Sequence, residues 1–159
     1  MASQAALREE VVWLLRGGNA HVGFKKAVAR MPEGLQGKKP RGAPYSPWQQ
    51  LEHLRICQWD ILEYIQNPEH VSPAWPGGYW PAAVPPAGGS WARSVRGFEA
   101  DLKALEAMAA APATDLLARV PTDPDGPTLL HELLLVADHN AYHLGQLLVL
   151  RRLLGAWDD

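Results

Sequence analysis

Apolar positions recur every three to four residues over four long stretches of the chain, the spacing of helices that bury one face. The first stretch runs from about Gln4 to Arg16, with Leu7, Val11, Leu14 and Leu15 on one face, and Gly17-Gly18 stops it. Asn19 is placed to cap a shorter helix, Ala20 to about Met31, carrying Val22, Phe24, Ala27 and Val28. Pro32-Glu33-Gly34 ends that piece, and residues 34–45 read as loop. The second long helix has the clearest start. Ser46-Pro47-Trp48-Gln49 matches a capping box, with Ser at the cap, Pro at the first helical position and Gln at the third. It runs to about Gln66, where Asn67-Pro68 ends it. The third spans about Ser90 to Ala110, with Val95, Phe98, Leu102, Leu105 and Met108 at helical spacing. A short helical turn is expected around Thr114 to Arg119, and the fourth long helix from about Thr128 to Leu154. No stretch alternates as a strand would and no internal repeat is present. The pattern predicts an all-α fold, one four-helix bundle with a left-handed twist over residues 1–159. Residues 67–89, rich in Pro, Gly and Trp, form a connection long enough to act as a crossover, so that the second and third long helices run in the same direction.

Composition narrows the partners. A formal net charge of −2 without any basic run gives no nucleic-acid footprint. The last helix carries Glu132, Asp138, three His and two Arg within its apolar run, so no segment reads as a membrane span. The N-terminus has no basic segment followed by an apolar signal core. The single cysteine, Cys57, excludes an internal disulfide and suits a reducing cytoplasm. Seven Trp is high for this length, and Trp75, Trp80 and Trp91 fall in or beside the loop-like middle.

Chemistry enters with His139-Asn140-Ala141-Tyr142-His143. Residues four apart on a helix share a face, with Cβ atoms about 5–6 Å apart, so two imidazoles there can converge on one ion. Glu132, His139, His143 and Gln146 form a narrow polar stripe flanked by Leu129, Leu133, Val136, Leu144 and Leu147. Buried polar groups need partners, and a hydrogen-bonded polar seam inside a bundle is the alternative to a metal site. Among the other histidines, His131 lies about 12 Å along the axis from His139, too far to share an ion. His70 sits in a proline-rich loop and reads as solvated. His53, near the start of the second long helix, is the best-placed third ligand, the alternative being a lone hydrogen-bonded histidine. Gln49 and Asp60 lie on roughly its face, positioned to orient its ring.

The segment Ser46-Pro47-Trp48-Gln49-Gln50-Leu51-Glu52-His53, followed by Asp138-His139-Asn140-Ala141-Tyr142-His143-Leu144-Gly145-Gln146, resembles the DinB/YfiT-like metalloenzyme superfamily. Gly17-Gly18-Asn19-Ala20-His21 and the Trp-rich middle are similar to its DinB-like branch. The resemblance covers nearly the whole chain. It implies an up-down-down-up bundle, a divalent metal held by His53, His139 and His143, and frequent homodimers. Characterised relatives include metal-dependent transferases and an isomerase that use low-molecular-weight thiols. The family name refers to damage-inducible expression and implies no DNA contact.

Three neutral imidazoles leave a divalent ion with open positions, where water or a thiol can ionise. Imidazole suits both zinc and nickel. The expected function is therefore a metal-dependent enzyme on a small molecule, a transferase with a low-molecular-weight thiol as cosubstrate. A metal-dependent hydrolase is the second reading, and a stress-associated metal-binding protein without turnover the third. Trp75, Tyr79 and Trp80 are expected to cover the metal as a lid or apron. Asn19 and His21 are pocket candidates if the short second helix folds over it, and Tyr142 is a candidate at the pocket mouth, with packing against a neighbouring helix as its alternative. Glu132 is the nearest acid–base candidate. Cys57, four residues after His53, reads as a small buried hydrophobe rather than a ligand.

Overall fold

The computed structural model describes residues 2–86 and 88–157. Among them are six α-helices, α1 (Ala2–Arg16), α2 (Phe24–Val28), α3 (Glu33–Gln36), α4 (Pro47–Gln66), α5 (Ser90–Ala110) and α6 (Leu129–Leu153), and one 3-10 turn, Gly77–Tyr79. The four long helices pack in pairs, α1 with α5 and α6, and α4 with α5 and α6, an arrangement compatible with a four-helix bundle. No helix among the described residues is long and apolar enough to cross a membrane.

Contact partners give each pair its register. Along α4 and α5 the numbers climb together. Ser94 Oγ donates to Glu52 at 2.6 Å, a Cβ on Gly97 would sit 3.1 Å from Arg55 Cδ, and Gln58 donates to the Phe98 carbonyl at 2.7 Å. Gly97 thus lets the two helices approach where Arg55 crosses. Along α4 and α6 the numbers run oppositely, Gln50 meeting Gln146 and Gln58 meeting Asn140. Along α1 and α5 they also run oppositely, Arg8 reaching the Ala109 carbonyl and Arg16 reaching Glu106.

The start of α4 forms as its sequence dictates. Ser46 Oγ accepts from the Gln49 amide at 3.2 Å, and Gln49 Oε1 accepts from the Ser46 amide at 3.1 Å. The same two side chains also reach the long connection, where Ser46 Oγ donates to the Ala83 carbonyl and Gln49 Nε2 to the Pro81 carbonyl. The helix start and the end of that connection are thereby fastened to each other. Thr128 caps α6, accepting from the His131 amide at 3.2 Å.

Two apolar clusters stack along the helices. One joins Val11, Leu62, Ile65, Leu105, Leu133 and Val136. The other joins Phe24, Trp48, Leu51, Leu54, Phe98 and Leu147, with Phe24 stacked on Phe98 at 3.9 Å. Between them lies a polar layer: Asn140 Nδ2 donates to Gln58 Oε1 at 2.9 Å, and His53 and His143 are buried beside it.

Local details depart from the periodic pattern. Among the described side chains of α1 only Val11 and Leu15 are buried, whereas Leu7 and Leu14 are exposed. The helix expected over Ala20–Met31 contracts to Phe24–Val28, capped by Gly23 without a side-chain bond. Asn19 is exposed and donates to the Trp13 carbonyl instead of capping it. Thr114–Arg119 forms turns and an isolated antiparallel bridge, Arg119 to Thr128, rather than a helix. Asp115 Oδ1 accepts from the Leu117 amide there, a local bond that competes with helix formation.

Candidate metal centre

His53 on α4 and His139 and His143 on α6 meet in the polar layer, their candidate ligand atoms all within 4.8 Å of one another. His53 Nε2 stands 3.3 Å from the Nε2 of His143 and 3.3 Å from the Nε2 of His139. The other ring nitrogens fix two of the tautomers. His53 Nδ1–H donates to the Tyr79 carbonyl at 3.0 Å, which can only accept. His143 Nδ1–H donates to Gln50 Oε1 at 2.9 Å, and Gln50 Nε2 in turn donates to Gln146 Oε1 at 2.6 Å. The protons of both rings are therefore on the far side, and two bare lone pairs point at each other across 3.3 Å. Such an arrangement is repulsive without a cation between the nitrogens.

The donor set fits a divalent metal. Two nitrogens held at about 2.0–2.1 Å with tetrahedral angles stand about 3.3–3.4 Å apart, the spacing found between His53 and each partner. Electrostatics agree. Burial, then the neighbouring His139 and His53, lowers the pKa of His143 to about 3. Burial, then His53, lowers that of His139 to about 4. Burial also lowers His53, partly offset by its bond to Tyr79. All three imidazoles are neutral at neutral pH, the form that ligates.

Aromatic rings hold His53 from the side. Trp80 stacks on it at 3.8 Å with 5° between planes, and Tyr45 stacks on Trp80 at 3.7 Å. Two rings that close cannot share one face, so Trp80 is clasped between Tyr45 and His53. Asp60 holds the backbone that His53 needs: Tyr79 Oη donates to its Oδ2 at 2.6 Å and His70 Nε2 to its Oδ1 at 2.7 Å. A cleft of about 740 Å³ opens on the three histidines, walled by Ile61, Trp75, Tyr79, Trp80 and Leu135.

The structure sorts the sequence-derived candidates. Trp75, Tyr79 and Trp80 line the cleft. Asp60 lines it too, but acts on Tyr79 and His70 rather than on the His53 ring. Gln49 fastens the connection through Pro81, and Gln146 reaches His143 only through Gln50. Glu132 is buried seven residues before His139 and does not line the cleft; burial raises its pKa. Tyr142 sets its ring edge-on to His143 at 4.9 Å but is 65% exposed on another groove. Asn19 and His21 lie away from the cleft: both are exposed, and the His21 ring bonds the neighbouring Val22 carbonyl. His70, expected in solvent, packs on Trp59 and bonds Asp60.

Gln50, Tyr45 and His70 are the contributors that sequence reasoning passed over. Gln50 carried a signal, since it lies three residues before His53 on the same face. Tyr45 and His70 carried none, because loop paths place them. Cys57 Sγ lies 3.5 Å from His53 Nδ1, but burial, then Asp60, pushes its thiol up to about 12, and it stays protonated.

A family model described as the DinB superfamily matches residues 21–147. Neither the curated proteins nor the solved structures give a match.

Proposed function

We propose that this chain, a member of the DinB superfamily, is a metal-dependent enzyme acting on a small molecule with a low-molecular-weight thiol as cosubstrate. The observation that carries the reading is the convergence of three neutral histidines, two with their protons held on the far nitrogen, at the floor of an apolar cleft. A divalent ion held there supplies Lewis acidity, which lowers the pKa of a thiol or water that reaches it. The 3.3 Å spacing supports tetrahedral zinc first and nickel second. The chain's own residues do the rest. Tyr79 and Gln50 keep two ligand tautomers, Trp80 fixes the His53 ring plane, and Trp75, Tyr79 and Trp80 wall the cleft. In the proposed transfer the thiol gives up its proton to solvent, its sulfur lone pair bonds to the electrophilic carbon of the substrate, and the leaving group departs with its bonding pair.

Metal analysis by mass spectrometry tests the ligand set. The purified protein should carry one divalent ion, His139→Ala or His143→Ala should lose it, and His53→Ala should bind it far more weakly. Stoichiometric metal in His53→Ala removes that residue from the site. In a cobalt-loaded sample, 2-mercaptoethanol should shift the visible spectrum as sulfur enters the coordination shell. Turnover of esters or amides without thiol would instead support a hydrolase, and no response to either would support a binding protein without turnover.

We further propose that the bundle is up-down-down-up with a left-handed twist, a topology supported by the contacts that climb together along α4 and α5. Spin labels at Gln66 and Ala110 should then sit closer than labels at Gln66 and Arg93. The proposed compartment is the cytoplasm and the proposed working form a homodimer, with exposed Tyr142, Val149 and Leu153 of α6 in the contact. Light scattering showing a monomer at tens of micromolar would remove the dimer.

A further inference from the structure

The cleft over the three histidines is apolar and lacks positive charge. Among the described residues that line it there is no Lys or Arg, and its one carboxylate, Asp60, has both oxygens engaged by Tyr79 and His70. A phosphate or carboxylate lying against this wall would find no protein cation to pair with, and an unpaired buried charge is strongly disfavoured. The ring faces are also unequally used. Trp80 is clasped on both sides, and Tyr79 is tied down through its hydroxyl. Trp75 stands at the rim 76% exposed, with the tilted Tyr79 ring beside it at 5.5 Å. Leu135 on α6, 41% exposed, supplies a second apolar surface of the same cleft. At about 740 Å³ the space is of ordinary size for a drug-sized ligand.

We infer that the second substrate of the proposed transfer presents a flat, uncharged aromatic or conjugated group, which stacks on Trp75 and packs against Leu135, and that anionic substrates are rejected by this wall. The inference rests on the proposed function for the reaction, but its binding half concerns the wall alone. Planar rings gain from offset stacking on Trp beyond their area burial, whereas an anion gains nothing here except at a bound metal.

The test separates the two by using chelator-stripped as well as metal-loaded protein, with calorimetric titration of 2-naphthylmethanol and 2-naphthoate, two probes of one skeleton. In stripped protein the neutral probe should bind at least about tenfold tighter than the anion. Trp75→Ala, at an exposed ring that the fold does not need, should weaken the neutral probe about tenfold. Leu135→Arg should reverse the preference by giving naphthoate a cation. Equal affinity of the two probes for stripped protein, an unchanged neutral-probe affinity in Trp75→Ala, or no gain of naphthoate binding in Leu135→Arg would each overturn the assignment. A protein that binds no metal yet shows the stripped-state preference would sink the metalloenzyme reading and leave the wall's specificity standing.

Discussion

Gln50→Leu removes the acceptor of His143 and the donor to Gln146 while keeping nearly the same bulk. In the native site Gln50 is 2% exposed and takes the Nδ1 proton of His143 at 2.9 Å. Leucine leaves that N–H buried without a partner, which costs about 1–3 kcal/mol. The ring has an escape: it can move the proton to Nε2, where it blocks the lone pair that faces His53. Either outcome weakens the site, and loss of a partner that orients a ligand typically reduces metal affinity about 10–100-fold, or about 1.4–2.7 kcal/mol. Competition for zinc against a chromophoric chelator measures this directly. Gln50→Glu keeps an acceptor at the same reach and should hold affinity near or above the native value. Gln146→Leu, one bond further out, should lose less than Gln50→Leu. A Gln50→Leu protein that melts normally and binds zinc within about threefold of native would refute the tautomer argument.

Acid sensitivity follows from the same rings. His139 and His143 are lowered to about 4 and about 3, so below the ordinary value of about 6.5 the unfolded chain binds protons that the metal-free folded chain refuses. Above that value they contribute nothing. As pH falls from about 6.5 toward about 4, each removes up to about 1.4 kcal/mol of stability per pH unit, and urea melts of His139→Gln/His143→Gln should flatten that slope relative to native. Equal slopes would show that the rings are not held neutral. Leu147→Ala, at a fully buried position, should cost about 2–5 kcal/mol in denaturant unfolding, whereas Leu117→Ala, 65% exposed, should change stability by less than about 0.5 kcal/mol. Cys57→Ala should keep its metal, and the native thiol should react slowly with thiol reagents at neutral pH because it stays protonated; loss of metal in that variant would make sulfur a ligand.

What the sequence disclosed was local in origin. The α4 cap depends on four consecutive residues, and the His139–His143 pair on one helical turn, so both could be read without knowing the fold. His53 stood out by its position as the best third ligand, but choosing ligand over lone hydrogen-bonded histidine needed the family resemblance, because no local rule says which residue of α4 will face α6. The misplacements share a cause. Asn19 and His21 were expected at the pocket on the condition that the short helix after them folds over it. The segment instead leads into α2, whose Phe24 packs on Phe98 within the second apolar cluster, and this carries both residues away from the cleft. Around Thr114–Arg119, Leu116 and Val120 are drawn into the first apolar cluster, and the chain turns to deliver them rather than continuing a helix. His70 and Asp60 lie ten residues apart across a helix end, and only the path of the connection brings them together.

The double use of Ser46 and Gln49 has a consequence for how such a protein can change over generations. The stretch that supplies Trp75, Tyr79 and Trp80 is anchored before it by the end of α4, where Asn67 bonds Glu63, and after it by the clamps on Pro81 and Ala83. Between these anchors His70, Tyr79 and Trp80 are tied to Asp60 and His53, whereas exposed positions such as Val71 and Trp75 can change without disturbing the helix start that presents His53. The clasp divides the molecule into a fixed chassis and a partly exchangeable rim, so the wall of the cleft can change at positions such as Trp75 while the three histidines keep their place.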